Sequence, residues 1–208
     1  MATPVYHITH IDNLSGIIAE GGLWSKARHR QHDVCYNDIA HGSLQIRRGT
    51  TKVTAGPGGV LHEYVPFYFA PRSPMLYAIH RGAVSTYQGN QHDIIYLGSL
   101  VETIAEEGLA FVFTDIHAVL PIARFFDDVS GFESIDWKLM QEMYWFDSLE
   151  NPNRKARRQA EFLVHDFCPL HALEGIAVYD RKRLDHVNQL LGLSEVNIPT
   201  GLRPQFYY

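Results

Sequence analysis

Glu161 is the residue whose place in the sequence most strongly indicates chemistry. It stands at the head of an apolar strand pattern and directly follows the basic run at residues 154–158. A carboxylate is costly inside a core, so this position favours a place where a sheet borders a cleft. The simpler alternative is an edge-strand charge held by the neighbouring arginines, and the local pattern leaves both interpretations open.

The segment Tyr-His-Ile-Thr at residues 6–9 contains the side chains that we expect to accompany Glu161. A short strand pattern here leads into a helix pattern, so His7 and Thr9 lie near a strand end. Together with Glu161 they suggest the breaking of a glycosidic bond, because a carboxylate beside a sugar stabilises the charge that develops as a leaving group departs. Taken alone, His7 is more typical of a hydrogen-bonded core histidine.

The 12 histidines of the chain raise a metal site as an alternative. His29, His32 and Cys35 stand at spacings that a zinc ion could use, but no fourth ligand is evident nearby, and we expect no metal. The sequence also lacks the G-x-S-x-G elbow of a serine hydrolase. The glycine-rich residues 56–59 lack the lysine of a phosphate-binding loop.

The composition is that of an ordinary globular protein. The 208 residues are 46% hydrophobic and 20% charged, which predicts one domain over residues 1–208 with a substantial core. No apolar run is long enough to cross a bilayer and no secretory signal is visible, so we expect a cytoplasmic protein. Two cysteines, Cys35 and Cys168, fit free thiols in a reducing compartment.

Charge is distributed unevenly along the chain. Residues 1–81 contain eight Lys and Arg against five Asp and Glu, whereas the remainder contains ten against eighteen. The net charge of -5 therefore conceals a basic N-terminal part that could follow phosphates. Ordinary surface scatter explains the same counts, and from charge alone it is the preferred explanation.

Short strands and scattered helices predict an α+β fold. Strands are predicted at residues 5–9, 64–69, 94–97, 111–113, 161–164, 176–179, 196–198 and 205–207. Helices are predicted at residues 11–20, 38–48, 100–107, 117–126, 137–145 and 183–191, and a further one starts at Ser73-Pro74. Residues 24–37 and 149–158 are predicted to be loops, the first of them mobile.

Seven segments follow one known pattern, in order, through nearly the whole chain: 6–14, 45–48, 58–77, 113–117, 123–126, 159–164 and 207–208. In these segments the sequence resembles the DarT family of bacterial DNA ADP-ribosyltransferase toxins, in the branch that modifies thymidine. The block around Tyr68 is highly specific, whereas Tyr-His-x-Thr alone also occurs in other ADP-ribosyltransferases and in RNA 2′-phosphotransferases. Residues 24–38 and 133–158 match less closely, and there we expect nucleic-acid preference to vary.

The resemblance implies an ADP-ribosyltransferase fold, in which two packed antiparallel sheets with peripheral helices surround a cleft for NAD. It implies transfer of ADP-ribose from NAD to thymidine in single-stranded DNA, with release of nicotinamide. The implied partner is a DarG-type macrodomain antitoxin, and we expect a monomer. Two alternatives stay open: ADP-ribosyl or 2′-phosphate transfer on RNA or protein, and a catalytically silent nucleic-acid-binding module.

The resemblance also implies roles for the residues that match the NAD site. His7 and Thr9 would bind NAD through ribose and amide hydrogen bonds. Asn13 would contact NAD or bond locally near the helix cap. Tyr68 would stack on nicotinamide or on the target base, and Glu161 would accept a hydrogen bond from the 2′-hydroxyl of the nicotinamide ribose.

Arg48 is expected to activate the acceptor. Thymine attacks through its ring N3, which carries a proton and is a poor nucleophile when neutral. A guanidinium near a thymine carbonyl would stabilise the anion, and it could also clamp the NAD diphosphate. Arginine stays protonated, so it would not act as a base. The alternative is a cation at a helix C-terminus, worth a fraction of a kcal/mol.

Further residues are expected to contact DNA in addition to Tyr68. A base must be splayed out of the strand for chemistry, and stacking together with phosphate contacts favours that state. The expected residues are Arg72, Met75, His117, Arg154 and Arg157. A solvated charged loop explains Arg154 and Arg157 about equally well.

Overall fold

The computed structural model of the chain describes residues 2–32 and 36–208. The strands are β1 Pro4–His10, β2 Gly22–Trp24, β3 Tyr64–Tyr68, β4 Ile94–Leu100, β5 Phe111–His117, β6 Phe125–Phe126, β7 Ala160–His165, β8 Phe167–Pro169, β9 Gly175–Val178 and β10 Thr200–Leu202. The α-helices are α1 Leu14–Ala19, α2 Lys26–His32, α3 Gly42–Arg48, α4 Pro74–His80, α5 Val101–Glu106, α6 Trp137–Gln141, α7 Arg154–Arg158 and α8 Arg181–Gly192. Cys35 of the considered zinc triad lies outside the described residues.

Eight strands form one sheet in the order β10-β9-β4-β1-β3-β7-β5-β6, and β2 pairs with β8 in a small second sheet. The large sheet has two halves that meet between β1 and β3 at one registered pair, Tyr6 opposite Tyr68. In contrast, β1 pairs with β4 over its whole length. All neighbouring strands are antiparallel except β9 and β10. The predicted α+β class is confirmed, and the narrow joint leaves room for a cleft between the two halves.

The strands near this joint contribute to the large hydrophobic core. Every residue of β7 except the last is buried, which suits an apolar strand covered on both faces. Helix α8 turns Leu184, Val187 and Leu191 towards the same large core cluster that contains Phe67 and Phe162. This spacing is that of an amphipathic helix. Glu161 is the one carboxylate in β7, and the other buried residues of this strand are apolar.

The prediction of a loop at residues 24–37 is wrong at Trp24 and at residues 26–32, whereas residues 36–37 have no regular structure. Strand β2 extends to Trp24 and α2 follows directly. Helix α2 is held by Arg28, whose guanidinium donates to both carboxylate oxygens of Asp166 at 2.8 and 3.0 Å. A tertiary ion pair therefore supports this helix, and the local sequence contains no apolar periodicity that would reveal it.

The prediction of a helix at residues 117–126 is also wrong. Strand β5 continues to His117, the chain turns through Pro121, and β6 pairs back onto β5. Proline disfavours a helix interior, and Phe126 stacks on Phe113 with ring centroids 5.1 Å apart. Two shorter elements also differ from prediction, since α6 ends at Gln141 and the predicted loop at 149–158 contains α7.

The chain end contains no strands at residues 196–198 or 205–207, so both predictions are wrong. Strand β10 lies between these segments, and Pro204 begins a short 3₁₀ turn. The end of the chain is fixed by side chains, because the hydroxyl of Tyr207 donates to the carbonyl of Ile94 at 2.8 Å. Among the described residues, no helix combines the length and apolar character that a membrane span requires.

Candidate active site

A cavity of about 610 Å³ lies beside the joint between the two sheet halves. Five elements each contribute a polar side chain to its lining: His7 from β1, Arg48 from α3, Tyr68 from β3, His117 from β5 and Glu161 from β7. Its volume is in the range of sites that enclose small molecules and cofactors. The cavity therefore brings residues as far apart in the sequence as His7 and Glu161 to one site.

Glu161 is 2% exposed and its two carboxylate oxygens have different partners. Oε2 accepts from Nη1 of Arg48 at 2.6 Å, and Oε1 accepts from the backbone amide of Ala118 at 3.3 Å. On the sheet, Glu161 stands directly opposite Tyr68 of β3, which places the two side chains on one face. The carboxylate is thus oriented by the backbone amide of Ala118 on one oxygen and by the guanidinium of Arg48 on the other.

An irregularity in β5 brings His117 to the same site. The register with β7 shifts between Phe113 and His117, and such bulges re-aim side chains. Thr114 lies within this shift and accepts from the backbone amide of Glu161 at 3.1 Å. The His117 Nε2 atom lies 3.9 Å from Glu161 Oε1. Burial lowers the pKa of His117, with Glu161 opposing that shift, so the imidazole is neutral at pH 7.

Arg48 is the last residue of α3, yet its guanidinium is buried in the cavity and does not face solvent at the helix end. Nη1 is bound to Glu161, whereas Nη2 is buried with no hydrogen-bond partner among the described residues. An unpartnered buried donor is unfavourable unless a ligand satisfies it. Arg48 is therefore equipped to hold Glu161 with one nitrogen and to donate to a bound oxygen with the other.

Removing Arg48 alone should destabilise the protein more than removing both members of the buried pair. Arg48→Met leaves the carboxylate of Glu161 buried without its cation, and we expect a loss of about 3–5 kcal/mol in the free energy of unfolding. The double variant Arg48→Met/Glu161→Met should recover most of that loss. Urea unfolding of the three proteins measures this, and equal losses in the single and double variants would contradict it.

His7 lines the cavity and has one ring nitrogen without a partner among the described residues. Nδ1 lies 2.8 Å from the carbonyl oxygen of Pro66, and because a carbonyl can only accept, Nδ1 carries the proton. Nε2 is then a bare acceptor, and it is buried without a partner among the described residues. Burial lowers the pKa of His7 to about 4, which keeps the ring neutral. The geometry suits acceptance of a hydrogen bond from a ligand hydroxyl.

The depressed pKa of His7 predicts a loss of stability on acidification. The unfolded chain binds a proton at this residue below its ordinary pKa of 6.5, whereas the folded protein does so only near 4. The unfolded state therefore gains protons first, and folding stability falls as the pH drops from 6.5 to about 4. Titration of this residue is expected to lower the free energy of unfolding by roughly 3 kcal/mol across that pH range.

Urea unfolding of the wild type and His7→Gln at several pH values tests this. The variant should show a shallower loss of stability over that window, since glutamine does not titrate. Parallel pH profiles for the two proteins would contradict the assignment.

Thr9 and Asn13 lie behind the wall of the cavity. The hydroxyls of Thr9 and Tyr36 are 3.2 Å apart, and the amide of Asn13 donates to Thr9 at 2.9 Å. Asn13 also accepts from the backbone amide of Asn37 at 2.9 Å. Because Tyr36 lines the cavity, Thr9 and Asn13 fix part of its wall. Their direct contact with NAD stays a prediction.

Tyr68 and Met75 form one side of the cavity. The hydroxyl of Tyr68 donates to the Met75 sulfur at 3.5 Å, and both residues belong to the lining. Burial raises the pKa of Tyr68, and the charge of Glu161 raises it further, so the phenol stays neutral. Of the residues predicted for the site, six therefore line one cavity: His7, Arg48, Tyr68, Met75, His117 and Glu161.

Three predicted DNA-contacting arginines lie outside the cavity lining. Arg72 donates from Nη1 to the carbonyl of Tyr207 at 2.8 Å. Arg154 pairs with Glu142, and Arg157 donates to Asp136 at 2.6 Å. Each guanidinium thus has an intramolecular partner, and contact with DNA stays a prediction for all three.

Comparison with known proteins connects this geometry to a family. The sequence matches the family described as "ssDNA thymidine ADP-ribosyltransferase, DarT" over residues 6–208. The chain belongs to the DarT family. It is 47% identical to a DNA ADP-ribosyl transferase of Thermus sp. (strain 2.9) over 203 residues, which cover 98% of this chain and 92% of that protein.

Solved structures agree with the DarT assignment. The structure of Thermus sp. 2.9 DarT in complex with ADP-ribosylated ssDNA matches with a TM-score of 0.91 at 42% identity, covering 99% of this chain and 96% of that one. The same protein in complex with NAD+ matches with a TM-score of 0.88 at 42% identity, covering 99% and 98%. The predicted ADP-ribosyltransferase fold is thereby confirmed.

A more distant relative carries a second function. A DNA ADP-ribosyl transferase-DNA ADP-ribosyl glycohydrolase fusion protein of Thermosipho africanus (strain H17ap60334) is 23% identical over 206 residues. The match covers 98% of this chain but 49% of the fusion protein. In that relative, a domain of the DarT type and a glycohydrolase are parts of one polypeptide.

Several residues of this DarT cavity were not assigned a role from the sequence. Gln45 lies one helical turn before Arg48 on α3, a spacing that places both on one face, and its Oε1 is 3.0 Å from His62 Nε2. The three-residue spacing from Arg48 could therefore have identified Gln45 as a site residue from the sequence. Lys26 and Asp38 form an ion pair in the lining, and they belong to a segment whose pattern gave no signal. No group of His, Cys, Asp and Glu within residues 2–32 and 36–208 is arranged to hold a metal ion.

Proposed function

We propose that this chain transfers ADP-ribose from NAD to the N3 atom of thymine in single-stranded DNA and releases nicotinamide. The observation that carries the proposal is the buried Glu161, held by Arg48 in a cavity that also presents the acceptor nitrogen of His7. One relative, Thermus sp. 2.9 DarT, is 42% identical and is known both in complex with NAD+ and in complex with ADP-ribosylated ssDNA, which supports the proposal.

The donor half of the reaction is assigned to Glu161 and His7. A bound NAD would place a ribose hydroxyl against Nε2 of His7 and the 2′-hydroxyl of the nicotinamide ribose against Glu161. When the C1′–N bond breaks, nicotinamide leaves with the bonding electrons and the ribose becomes cationic. The carboxylate of Glu161 interacts more strongly with this cation than with the neutral sugar, which lowers the barrier. The Arg48 pair and the Ala118 amide keep the carboxylate in place for this step.

The acceptor half is assigned to Arg48. Its free Nη2 donates to a thymine carbonyl oxygen, which stabilises the negative charge that grows as N3 loses its proton. The N3 lone pair then forms the new bond to C1′, and the N3 proton passes to solvent. Because Nη1 remains on Glu161, one guanidinium fixes the carboxylate and the acceptor base relative to each other. A clamp on the NAD diphosphate is a second proposed use of the same side chain.

Tyr68, Met75 and His117 are proposed to surround the flipped-out thymine. They line the cavity beside Glu161 and offer an aromatic face, a flexible thioether and a neutral imidazole. Such surfaces favour a base removed from its stack. Arg154 and Arg157 are proposed to contact DNA phosphates. For this, their ion pairs with Glu142 and Asp136 must break first.

The biological setting is proposed from the relatives. The fusion of a DNA ADP-ribosyl transferase with a glycohydrolase in Thermosipho africanus supports a separate macrodomain antitoxin of the DarG type for this chain. The chain would then be the toxin of a toxin–antitoxin pair that acts in the bacterial cytoplasm, where NAD and single-stranded DNA are present. We propose that residues 1–208 form one domain and act as a monomer.

Intact mass spectrometry of oligonucleotides tests the proposed reaction. The purified protein is incubated with NAD and two single strands that differ only in the replacement of every thymine by cytosine. The expected result is a mass increase of one ADP-ribose on the thymine-containing strand alone. An RNA of matched sequence and the protein itself are analysed in the same way. Product on RNA or on protein, or binding without product, would overturn the proposal.

A further inference from the structure

Arg158 is a buried cation whose bonds go to backbone carbonyls. It is 3% exposed, and Nη1 donates to the carbonyls of Leu139, Met140 and Glu142 at 2.5, 2.9 and 3.1 Å. These carbonyls lie at the end of α6, where the last acceptors of a helix are not all bonded within it. A cation at this end also interacts favourably with the helix dipole.

The second guanidinium nitrogen of Arg158 reaches a different part of the chain. Nη2 donates to the carbonyl of Pro71 at 2.7 Å. The next residue, Arg72, has a φ of 56°, a left-handed conformation that is unfavourable for a residue other than glycine. Such a turn persists only when its surroundings fix it. Arg158 supplies one of those contacts, three residues before Glu161 in the sequence.

The hydroxyl of Tyr208 also fixes this turn. It donates to the carbonyl of Arg72 at 2.5 Å and accepts from the indole nitrogen of Trp145 at 2.7 Å. The backbone amide of Arg72 in turn donates to the hydroxyl of Tyr96 at 3.3 Å. The turn at residues 71–73 is thus held between the segment that follows α6, strand β4 and the end of the chain.

This turn leads directly into the wall of the active site. Ser73 caps α4 by accepting from the amide of Leu76, and Met75 in the first turn of α4 contacts Tyr68. Tyr68 stands opposite Glu161 on the neighbouring strand. Glu161 is therefore connected to Met75 by two routes. One follows the chain back to Arg158, crosses to Pro71 and continues along the chain into α4. The other crosses the sheet to Tyr68, which contacts Met75.

We propose that Arg158 is a positioning residue that sets the acceptor side of the cavity relative to Glu161. By joining the end of α6 to Pro71, it fixes where α4 begins and hence where Met75 lies beside the acceptor base. It touches neither NAD nor DNA. The inference rests on the proposed function, since it concerns the DNA step of that reaction.

Steady-state kinetics of Arg158→Met test this role. Because small displacements of reacting groups lower rates by on the order of 10²-fold, we expect kcat/KM for the oligonucleotide to fall by about that factor. The affinity for NAD, measured by calorimetry, should stay close to the wild-type value. Arg158→Lys keeps a cation with three donors but cannot bridge both sides with a planar fork, so it should recover only part of the loss.

Two further variants separate positioning from a loss of folding. Arg183→Met removes another largely buried arginine, which is bound to Asp93 and Asp180 away from the cavity, and should leave the kinetics of the folded protein unchanged. Tyr208→Phe removes the hydroxyl that bonds the carbonyl of Arg72, and it should reproduce the DNA-specific defect in weaker form, even if Arg158→Met does not fold.

The inference is overturned if the folded Arg158→Met protein keeps the wild-type kcat and KM for DNA. It is equally overturned if NAD affinity and the DNA parameters fall together, or if Tyr208→Phe and Arg158→Lys behave as the wild type. The proposed function fails by a different observation, which is the absence of product with the wild-type protein.

Discussion

Glu161→Gln is expected to lower the rate of ADP-ribose transfer by on the order of 10²–10³-fold. Glutamine has nearly the same shape but one acceptor oxygen in place of two, so it can keep the bond from Arg48 at 2.6 Å and loses the weaker one from the amide of Ala118 at 3.3 Å. The neutral amide cannot offer the negative charge that stabilises a cationic ribose. The loss should therefore be in turnover, with much less effect on NAD affinity.

The measurement is the rate at which the thymine-containing oligonucleotide gains the mass of ADP-ribose. Glu106→Gln is a matched control, since it makes the same change at an exposed carboxylate at the end of α5. Melting temperatures of both variants report whether folding is preserved. A folded Glu161→Gln protein with wild-type turnover would exclude the proposed role of the carboxylate.

The elements with strong local signals were predictable from the sequence. Helix α4 begins where Ser73 and Pro74 predict it, because the serine hydroxyl accepts from the amide of Leu76 and proline suits the first turn. Strand β7 follows from an apolar run short enough to be a strand. In both cases the residues that decide the structure lie within a few positions of each other.

The elements that failed depend on distant partners. Helix α2 is fixed by an ion pair between Arg28 and Asp166, which are 138 positions apart. The end of the chain is fixed by the hydroxyls of Tyr207 and Tyr208 on carbonyls of other segments. No periodicity within a short window contains this information.

The active site also depends on contacts between residues that are distant in the sequence. The bond between Arg48 and Glu161 joins residues 113 positions apart, and spacing alone gives no reason to pair them. The family resemblance assigned both residues to one site but did not predict this bond. Arg158 was visible only as part of a basic run, which is typical of a solvated surface. Its burial against four carbonyls became evident only from the structure.

Replacing Arg48 by lysine is expected to slow transfer by on the order of 10²-fold at neutral pH. A lysine ammonium can still pair with Glu161 and preserve the fold. It cannot at the same time present a second, geometrically fixed donor to a thymine carbonyl, as Nη2 of Arg48 is placed to do. The expected defect is therefore in the acceptor step.

The dependence of this defect on pH distinguishes activation of thymine from simple binding of NAD. At alkaline pH the N3 proton is lost more readily in solution, so the reaction needs less help from a cation, and the difference between Arg48→Lys and the wild type should shrink. A clamp on the NAD diphosphate would instead give a defect in NAD affinity that is constant over the same range. Arg47→Ala is the control, because Arg47 is exposed and donates to the Val119 carbonyl at 3.0 Å. If Arg48→Lys and also Arg48→Ala transfer at the wild-type rate at neutral pH, then Arg48 does not activate the acceptor and its pairing with Glu161 is structural.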